Sequence, residues 1–316
     1  MTTDSIDFLS AQTVFDSLTP AAAVNAIENA LRGDIEPAKD FRRQILDVDH
    51  GQLLLMPSQS GSSAGVKVAT VAPGNPARGL TLIQAVYILF DAETLTPRAL
   101  FDGTALTTLR TPAVSVAAVK PALLRSRTPL RVAVFGAGPQ GTGHVDTIAG
   151  VVSGTRTIAS VTYVVRNLRS VEGLPGHDAR VVTAGSCEAQ DAVRRADVIV
   201  CATGSAVPVF DSADAKSDVI VIAVGSHDRD RREVDTALCA RAQVIVEDVG
   251  TALREGGDVV MAIAESDLVA ADLIPMKDVV RGDRLLRADQ AVLFKSSGMS
   301  WEDVVVAEAV SAVAHS

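Results

Sequence analysis

The chain has 316 residues, of which 47% are hydrophobic and 21% charged, with a formal net charge of −9. That length supports two domains with substantial cores. The acidic balance and an aromatic content of 3% argue against nucleic acid as a partner, because such surfaces need cations and stacking platforms. Cys187, Cys201 and Cys239 have no paired spacing, which argues against a disulfide framework or a metal site and reads as buried thiols in a reducing compartment. No run approaches the ~20 apolar residues of a membrane span. Met1–Ser10 is polar and unlike a signal peptide, so no membrane partner and a cytoplasmic location are expected.

In chain order, Thr19 caps a helix that starts at Pro20 and runs through Leu31. Arg43–Val48 and Gln52–Met56 read as strands around the turn Asp49-His50-Gly51. Val66–Val71, Ile83–Phe90 and Arg98–Phe101 continue an antiparallel sheet. A helix follows over Thr104–Val119, where Pro112 either bends it or marks its start. Lys120–Leu130 is the linker candidate. Beyond it, strands at Arg131–Phe135, Val161–Val165, Val198–Cys201, Val219–Val224 and Val244–Val246 alternate with helices at His144–Val151 and Ala189–Arg195. That alternation indicates a doubly wound parallel sheet of the α/β class. Asp289–Ser316 contains a helix rich in Val and Ala, expected to return to the first domain.

The strand Arg131–Phe135 leads into Gly136-Ala137-Gly138-Pro139-Gln140-Gly141, a GxGxxG element between a strand and a helix. The first glycine permits a tight turn, the second lets the backbone approach a pyrophosphate, and the third brings helix and strand together. The helix N-terminus then offers N–H groups to the anion. The next strand ends in Arg166-Asn167-Leu168-Arg169, with no acid before Glu172. An arginine in that position suits a 2′-phosphate, so NADP(H) is favoured over NAD(H); a solvated loop is the plainer reading.

Arg43, Lys67 and Arg110 stand in strand or apolar contexts. Strand alternation would normally turn Lys67 to solvent, whereas three converging cations would suit a small amino or imino acid carboxylate. From Lys67 onward the chain resembles the ornithine cyclodeaminase/mu-crystallin family. The matching pieces are Val71–Asn75, Leu89–Thr94, Asp102–Thr111, Gly136–Gln140 with His144, Ala223–His227 with Arg232-Glu233, Glu255–Asp258, and Leu293–Gly298.

The resemblance implies a homodimer. Its smaller α+β substrate and dimerisation domain would be residues 1–122 with 290–316, and its Rossmann domain residues 123–289. It also implies that Arg43, Lys67, Gln84 and Arg110 bind substrate, and that Thr111, Gly136–Gln140, Arg166, Asn167, Thr203, Val224, Ser296 and Gly298 bind the cofactor. The cyclodeaminases carry an aspartate where this chain has His227, followed by Asp228. A histidine suits proton donation to an imine nitrogen near neutral pH, so Lys67, His227 and Asp228 are the candidates for the chemistry. The expected activity is reduction of the cyclic ketimines Δ1-pyrroline-2-carboxylate or Δ1-piperideine-2-carboxylate. The alternatives are ornithine cyclodeaminase, another amino-acid dehydrogenase, or a ligand-binding protein without catalysis.

Overall fold

The structure, a computed structural model, describes residues 6–168 and 179–314. It divides into two compact units, residues 1–114 with 299–316, and residues 115–298.

The first unit opens with β1 (Asp7–Leu9), α1 (Ala11–Ser17) and α2 (Pro20–Arg32). Thr19 caps α2 by accepting the Ala22 N–H at 3.3 Å, with Pro20 in the first turn where its missing N–H costs nothing. There follow β2 (Gln44–Val48), β3 (Gly51–Ser60), β4 (Ser63–Val71), β5 (Ile83–Asp91) and β6 (Pro97–Asp102). They form a six-stranded sheet in the order β1-β6-β5-β4-β3-β2. All pairs are antiparallel except β1 with β6. β1 has only three residues and no alternation to read, so it leaves no local signal. β3 runs four residues past the expected Met56, because its ladder with β4 continues to Ser60↔Ser63.

The helix after β6, α3 (Gly103–Leu123), begins before Pro112 and continues through it. Its start is set by Asp102, whose Oδ1 accepts the N–H groups of Thr104 and Ala105 at 3.0 and 2.9 Å. The boundary between the two units falls inside this helix. The last helix, α10 (Ser300–Ala314), belongs to the first unit and packs on β3, β4, β5 and α2. The opposite sheet face carries the exposed Leu46 and Val86 beside the half-buried Leu53, Leu55, Val68 and Ile88.

The second unit contains β7 (Leu130–Phe135), α4 (Pro139–Val152), β8 (Ile158–Val165), β9 (Arg180–Thr183), α5 (Cys187–Arg195), β10 (Val198–Cys201) and β11 (Ile220–Ala223). It continues with α6 (Thr236–Arg241), β12 (Gln243–Val246), α7 (Val249–Glu255), α8 (Gly257–Glu265), β13 (Ile274–Pro275), α9 (Met276–Arg281) and β14 (Val292–Lys295). The eight strands are all parallel, in the order β13-β12-β14-β11-β10-β7-β8-β9. This is the expected α/β class with helices supplying the crossovers. β7 lies between β8 and β10, where the strand order reverses, so the glycine loop after it occupies the usual ligand position of such sheets. The expected C-terminal helix is α10, and it is preceded by β14, which inserts between β11 and β12. Of the cysteines, Cys201 and Cys239 are buried as expected, but Cys187 is exposed, since it sits in the first turn of the amphipathic α5.

Candidate functional site

In the first unit, β4 alternates strictly, and Lys67 falls on the buried side with Ser63, Gly65 and Ala69. It is 3% exposed, so the solvated alternative for this lysine is wrong. Met56, Lys67, Tyr87 and Phe101 line up across β3 to β6, and all four are buried. Lys67 Nζ donates to Asp303 Oδ2 at 2.7 Å and to Thr107 Oγ1 at 3.3 Å. Arg110, on α3, bonds to Glu302 through Nη1. Its Nε lies 3.3 Å from Asp303 Oδ1. Glu302 and Asp303 are consecutive in the first turn of α10 and have no exposed surface.

Two cations and two carboxylates thus share one buried cluster, which meets the requirement that buried charge be compensated. Burial and the neighbouring Arg110 lower the Lys67 ammonium to about 8, while Asp303 opposes the shift. Asp40 stands by: it accepts the Trp301 N–H at 2.9 Å. Its carboxyl is pushed up to about 6, mainly by burial.

Thr111 is buried next to Arg110 on the same helix. Arg43 is half-buried just before β2. Gln84 does not join this cluster. It pairs with Thr70 on β5, is exposed, and by strand alternation lies on the sheet face opposite Lys67.

In the second unit, the three motif glycines have distinct roles. Gly136 has φ +100°, and a Cβ there would come within 2.5 Å of the Ala202 carbonyl oxygen. A Cβ on Gly141 would lie 2.1 Å from the Gly136 carbonyl oxygen. Gly138 has nothing within 4 Å of its ideal Cβ and no side-chain cap over the first turn of α4. An open backbone at a helix N-terminus is the cradle that a dinucleotide pyrophosphate requires. His144, one turn into α4, is fully buried. Its Nδ1 lies 2.7 Å from the Gln140 carbonyl oxygen, which can only accept, so Nδ1 carries the proton. Nε2 then accepts from Ser115 Oγ at 3.0 Å. Burial lowers this histidine to about 4.

The loops after β10, β11 and β14 are fixed by buried carboxylates. Glu233 Oε1 accepts both the N–H and the hydroxyl of Thr203 at 2.7 Å, and Oε2 accepts the Gly225 N–H at 2.6 Å. A Cβ on Gly225 would lie 1.9 Å from the Thr203 carbonyl oxygen, so glycine is required for this approach. Val224, Gly225 and Thr203 are thereby held together, and His227 and Asp228 follow in the same loop, both exposed. Lys295 Nζ donates to the Ser226 carbonyl at 2.6 Å and pairs with Asp258 at 2.8 Å. Glu247, at the end of β12, accepts from Ser296 Oγ at 2.6 Å and from the N–H groups of Ser297 and Gly298 at 3.0 and 3.2 Å. Arg166 and Asn167 are exposed directly after β8; Arg169 and Glu172 lie outside the described residues.

Glu247, Glu302 and Asp303 escaped the sequence reading. Their signal was present: Glu247 closes the apolar run Val244-Ile245-Val246, and Glu302-Asp303 precede Val304-Val305-Val306. An acid inside an apolar element needs a buried partner. Among the described residues, no group of three or more His, Cys, Asp or Glu could hold a metal ion, and no helix is long and apolar enough to cross a membrane.

The sequence model of the ornithine cyclodeaminase/mu-crystallin family matches residues 5–316. A Δ1-pyrroline-2-carboxylate reductase of Colwellia psychrerythraea is 30% identical over 270 residues, covering 83% of this chain and 84% of that protein. The structure of Thermococcus litoralis Δ1-pyrroline-2-carboxylate reductase in complex with NADH and L-proline matches with a TM-score of 0.85 and 24% identity, covering 98% of each chain. An archaeal alanine dehydrogenase dimer with bound NAD matches at 0.83 and 26% identity, covering 98% of this chain and 96% of that one.

Proposed function

The chain belongs to the ornithine cyclodeaminase/mu-crystallin family, and we propose that it is an NAD(P)H-dependent reductase of cyclic ketimines, converting Δ1-pyrroline-2-carboxylate or Δ1-piperideine-2-carboxylate to L-proline or L-pipecolate. The observation that carries this reading is the buried Lys67–Arg110 cluster in a chain that is 30% identical to a Δ1-pyrroline-2-carboxylate reductase.

In this mechanism Arg110 and Lys67, with Arg43, hold the substrate carboxylate. Charge-assisted bonds from a fixed fork orient a planar carboxylate. The open Gly138 backbone and the N–H groups of the first turn of α4 would hold the pyrophosphate of the dinucleotide, which when bound would supply a hydride to the C=N carbon. His227, or a water that it positions, keeps the ring nitrogen protonated; Asp228 is the other candidate in that loop. One hydride and one proton are consumed for each imine reduced. Glu233 and Glu247 satisfy N–H and hydroxyl groups of the loops after β10, β11 and β14 and so fix those loops.

NADP(H) is the proposed cofactor, supported by Arg166 at the end of β8, where a guanidinium can pair with a 2′-phosphate. The proposed assembly is a homodimer. Its support is the half-exposed apolar sheet face around Leu46 and Val86, together with the dimeric alanine dehydrogenase of similar fold. That similarity also favours a second reading, oxidative deamination of a small amino acid.

The test is NADPH consumption by the purified protein with Δ1-pyrroline-2-carboxylate, run beside ornithine plus NAD with ammonia detection. Rapid NADPH loss with the imine and no ammonia from ornithine is the expected result. Ammonia and proline from ornithine would replace the reductase with a cyclodeaminase.

A further inference from the structure

The cluster around Lys67 has a charge balance that bears on which ligands it can accept. Two acids in the first turn of a helix ordinarily sit in solvent and complement the helix dipole. Glu302 and Asp303 are instead fully buried and spend their oxygens on specific partners. Asp303 meets Lys67 through Oδ2 and Arg110 through Oδ1. Glu302 meets Arg110 through Oε2, while its Oε1 accepts the Met299 N–H at 3.0 Å.

Thr107 donates its own hydroxyl proton to the Gly103 carbonyl at 2.7 Å, so its oxygen is oriented to accept from Lys67. Among the described residues, Asp303 and Thr107 are thus the two acceptors of the Lys67 ammonium. An ammonium has three N–H bonds, which leaves one for an incoming oxygen. The four charged residues of the cluster can donate to a carboxylate, yet together they have no net positive charge with which to neutralise one; Arg43, the third cation of the proposed carboxylate site, and Asp40 carry opposite charges and leave that balance unchanged.

We propose that Glu302 and Asp303 determine the charge type of the ligand: by balancing Lys67 and Arg110 they make the cluster neutral, so that it selects an amino or imino acid zwitterion over a simple carboxylate anion. This rests on the reading that Lys67 and Arg110 take the substrate carboxylate. A zwitterion brings no net charge into the buried cluster. Its carboxylate takes the remaining N–H of Lys67, and its ring-nitrogen cation faces a field that Glu302, Asp303 and the nearby Asp40 make more negative. A carboxylate without the nitrogen cation leaves one uncompensated negative charge in a poorly solvated place, where such charges are costly. The two acids are positioning and specificity residues; neither has to touch the reacting bond.

The experiment compares L-proline with tetrahydrofuran-2-carboxylate, a near-isosteric ring acid whose oxygen carries no charge. Dissociation constants are measured by calorimetry with the oxidised dinucleotide present, for the wild type, Asp303→Asn and Glu302→Gln. Both substitutions keep side-chain size and give the cluster a net positive charge. The wild type is expected to prefer proline by about tenfold or more, and each variant to lose about tenfold of that preference through tighter binding of the uncharged-ring acid. A purely structural role would weaken both ligands together and leave the ratio unchanged, and that result overturns the proposal.

If Asp303→Asn does not fold, Glu302→Gln and the wild-type ratio still decide. A wild type that binds the two acids equally well overturns the proposal without touching the reductase reading. A wild type that binds neither acid, and does not turn over the imine, overturns both.

Discussion

In the first unit Glu302 and Asp303 face the side-chain cations Lys67 and Arg110, whereas in the second unit Glu233 and Glu247 face backbone N–H groups and hydroxyls. All four carboxylates are buried, yet their energetic settings differ. A carboxylate held by two formal cations is part of a charge ledger, and losing either side strands a charge in the interior. A carboxylate held by N–H groups acts as a clamp on loop geometry, and an amide of the same shape can replace part of it. The first arrangement is suited to discriminating among charged ligands, the second to holding a loop still.

The largest expected effect lies where the second unit depends on backbone contact alone. Gly141→Val would drive a side chain into the Gly136 carbonyl, already 2.1 Å from an ideal Cβ. It should abolish detectable NADPH binding, followed by the fluorescence of the bound cofactor. If the variant bound NADPH normally, the glycine loop would not be the dinucleotide cradle.

Arg110→Ala comes next. Removing one member of a buried ion cluster costs about 3–5 kcal/mol of stability, and the Michaelis constant for the imine should rise by about two orders of magnitude or more, with NADPH affinity little changed. Glu247→Gln should cost only about 1–3 kcal/mol, since one oxygen acceptor remains. Denaturant titration of the two variants tests the contrast directly, and equal losses would erase it.

His144 predicts a pH effect on stability. Its folded-state value is lowered to about 4 by burial, from 6.5 when unfolded. The stabilisation is therefore complete above pH 6.5 and is lost as the pH falls toward 4, by about 3 kcal/mol in all. In His144→Gln the dependence over that window should flatten; an unchanged slope would mean that another group titrates.

Lys67 should shape the rate instead. With the ammonium lowered to about 8, kcat/KM for the imine should decline above pH 8 as Lys67 loses its proton. The smallest effect is on cofactor choice: Arg166→Ala should reduce the preference for NADPH over NADH by about tenfold in kcat/KM. No change in that ratio would remove Arg166 from the cofactor site.

Much of the second unit was legible because its information is local. A Rossmann loop is written in three glycines at fixed spacing behind an apolar strand, and their need for bare backbone follows from stereochemistry that any such loop shares. Strand positions were likewise readable from short runs of Val, Ile and Ala, although β9 and β13 are too short or too polar to register. Gln84 shows the limit of the family match: the resemblance groups it with the substrate cations, but alternation along β5 puts it on the other face of the sheet from Lys67. Pro112, either a bend or a start from stereochemistry alone, lies inside α3, whose first turn is capped by Asp102.

The α/β class, the glycine-rich loop and the candidate cations were legible in the chain, because each follows from residue type, spacing or local periodicity. Which partners those cations meet depends on long-range packing. Asp303 is 236 positions from Lys67, and Glu302 is 192 from Arg110, and no local pattern encodes a partner at such a distance. Only the packing of α10 on β3 and β4 brings the acids to the cations, and burial then turns four ordinary surface-type charges into one neutral cluster.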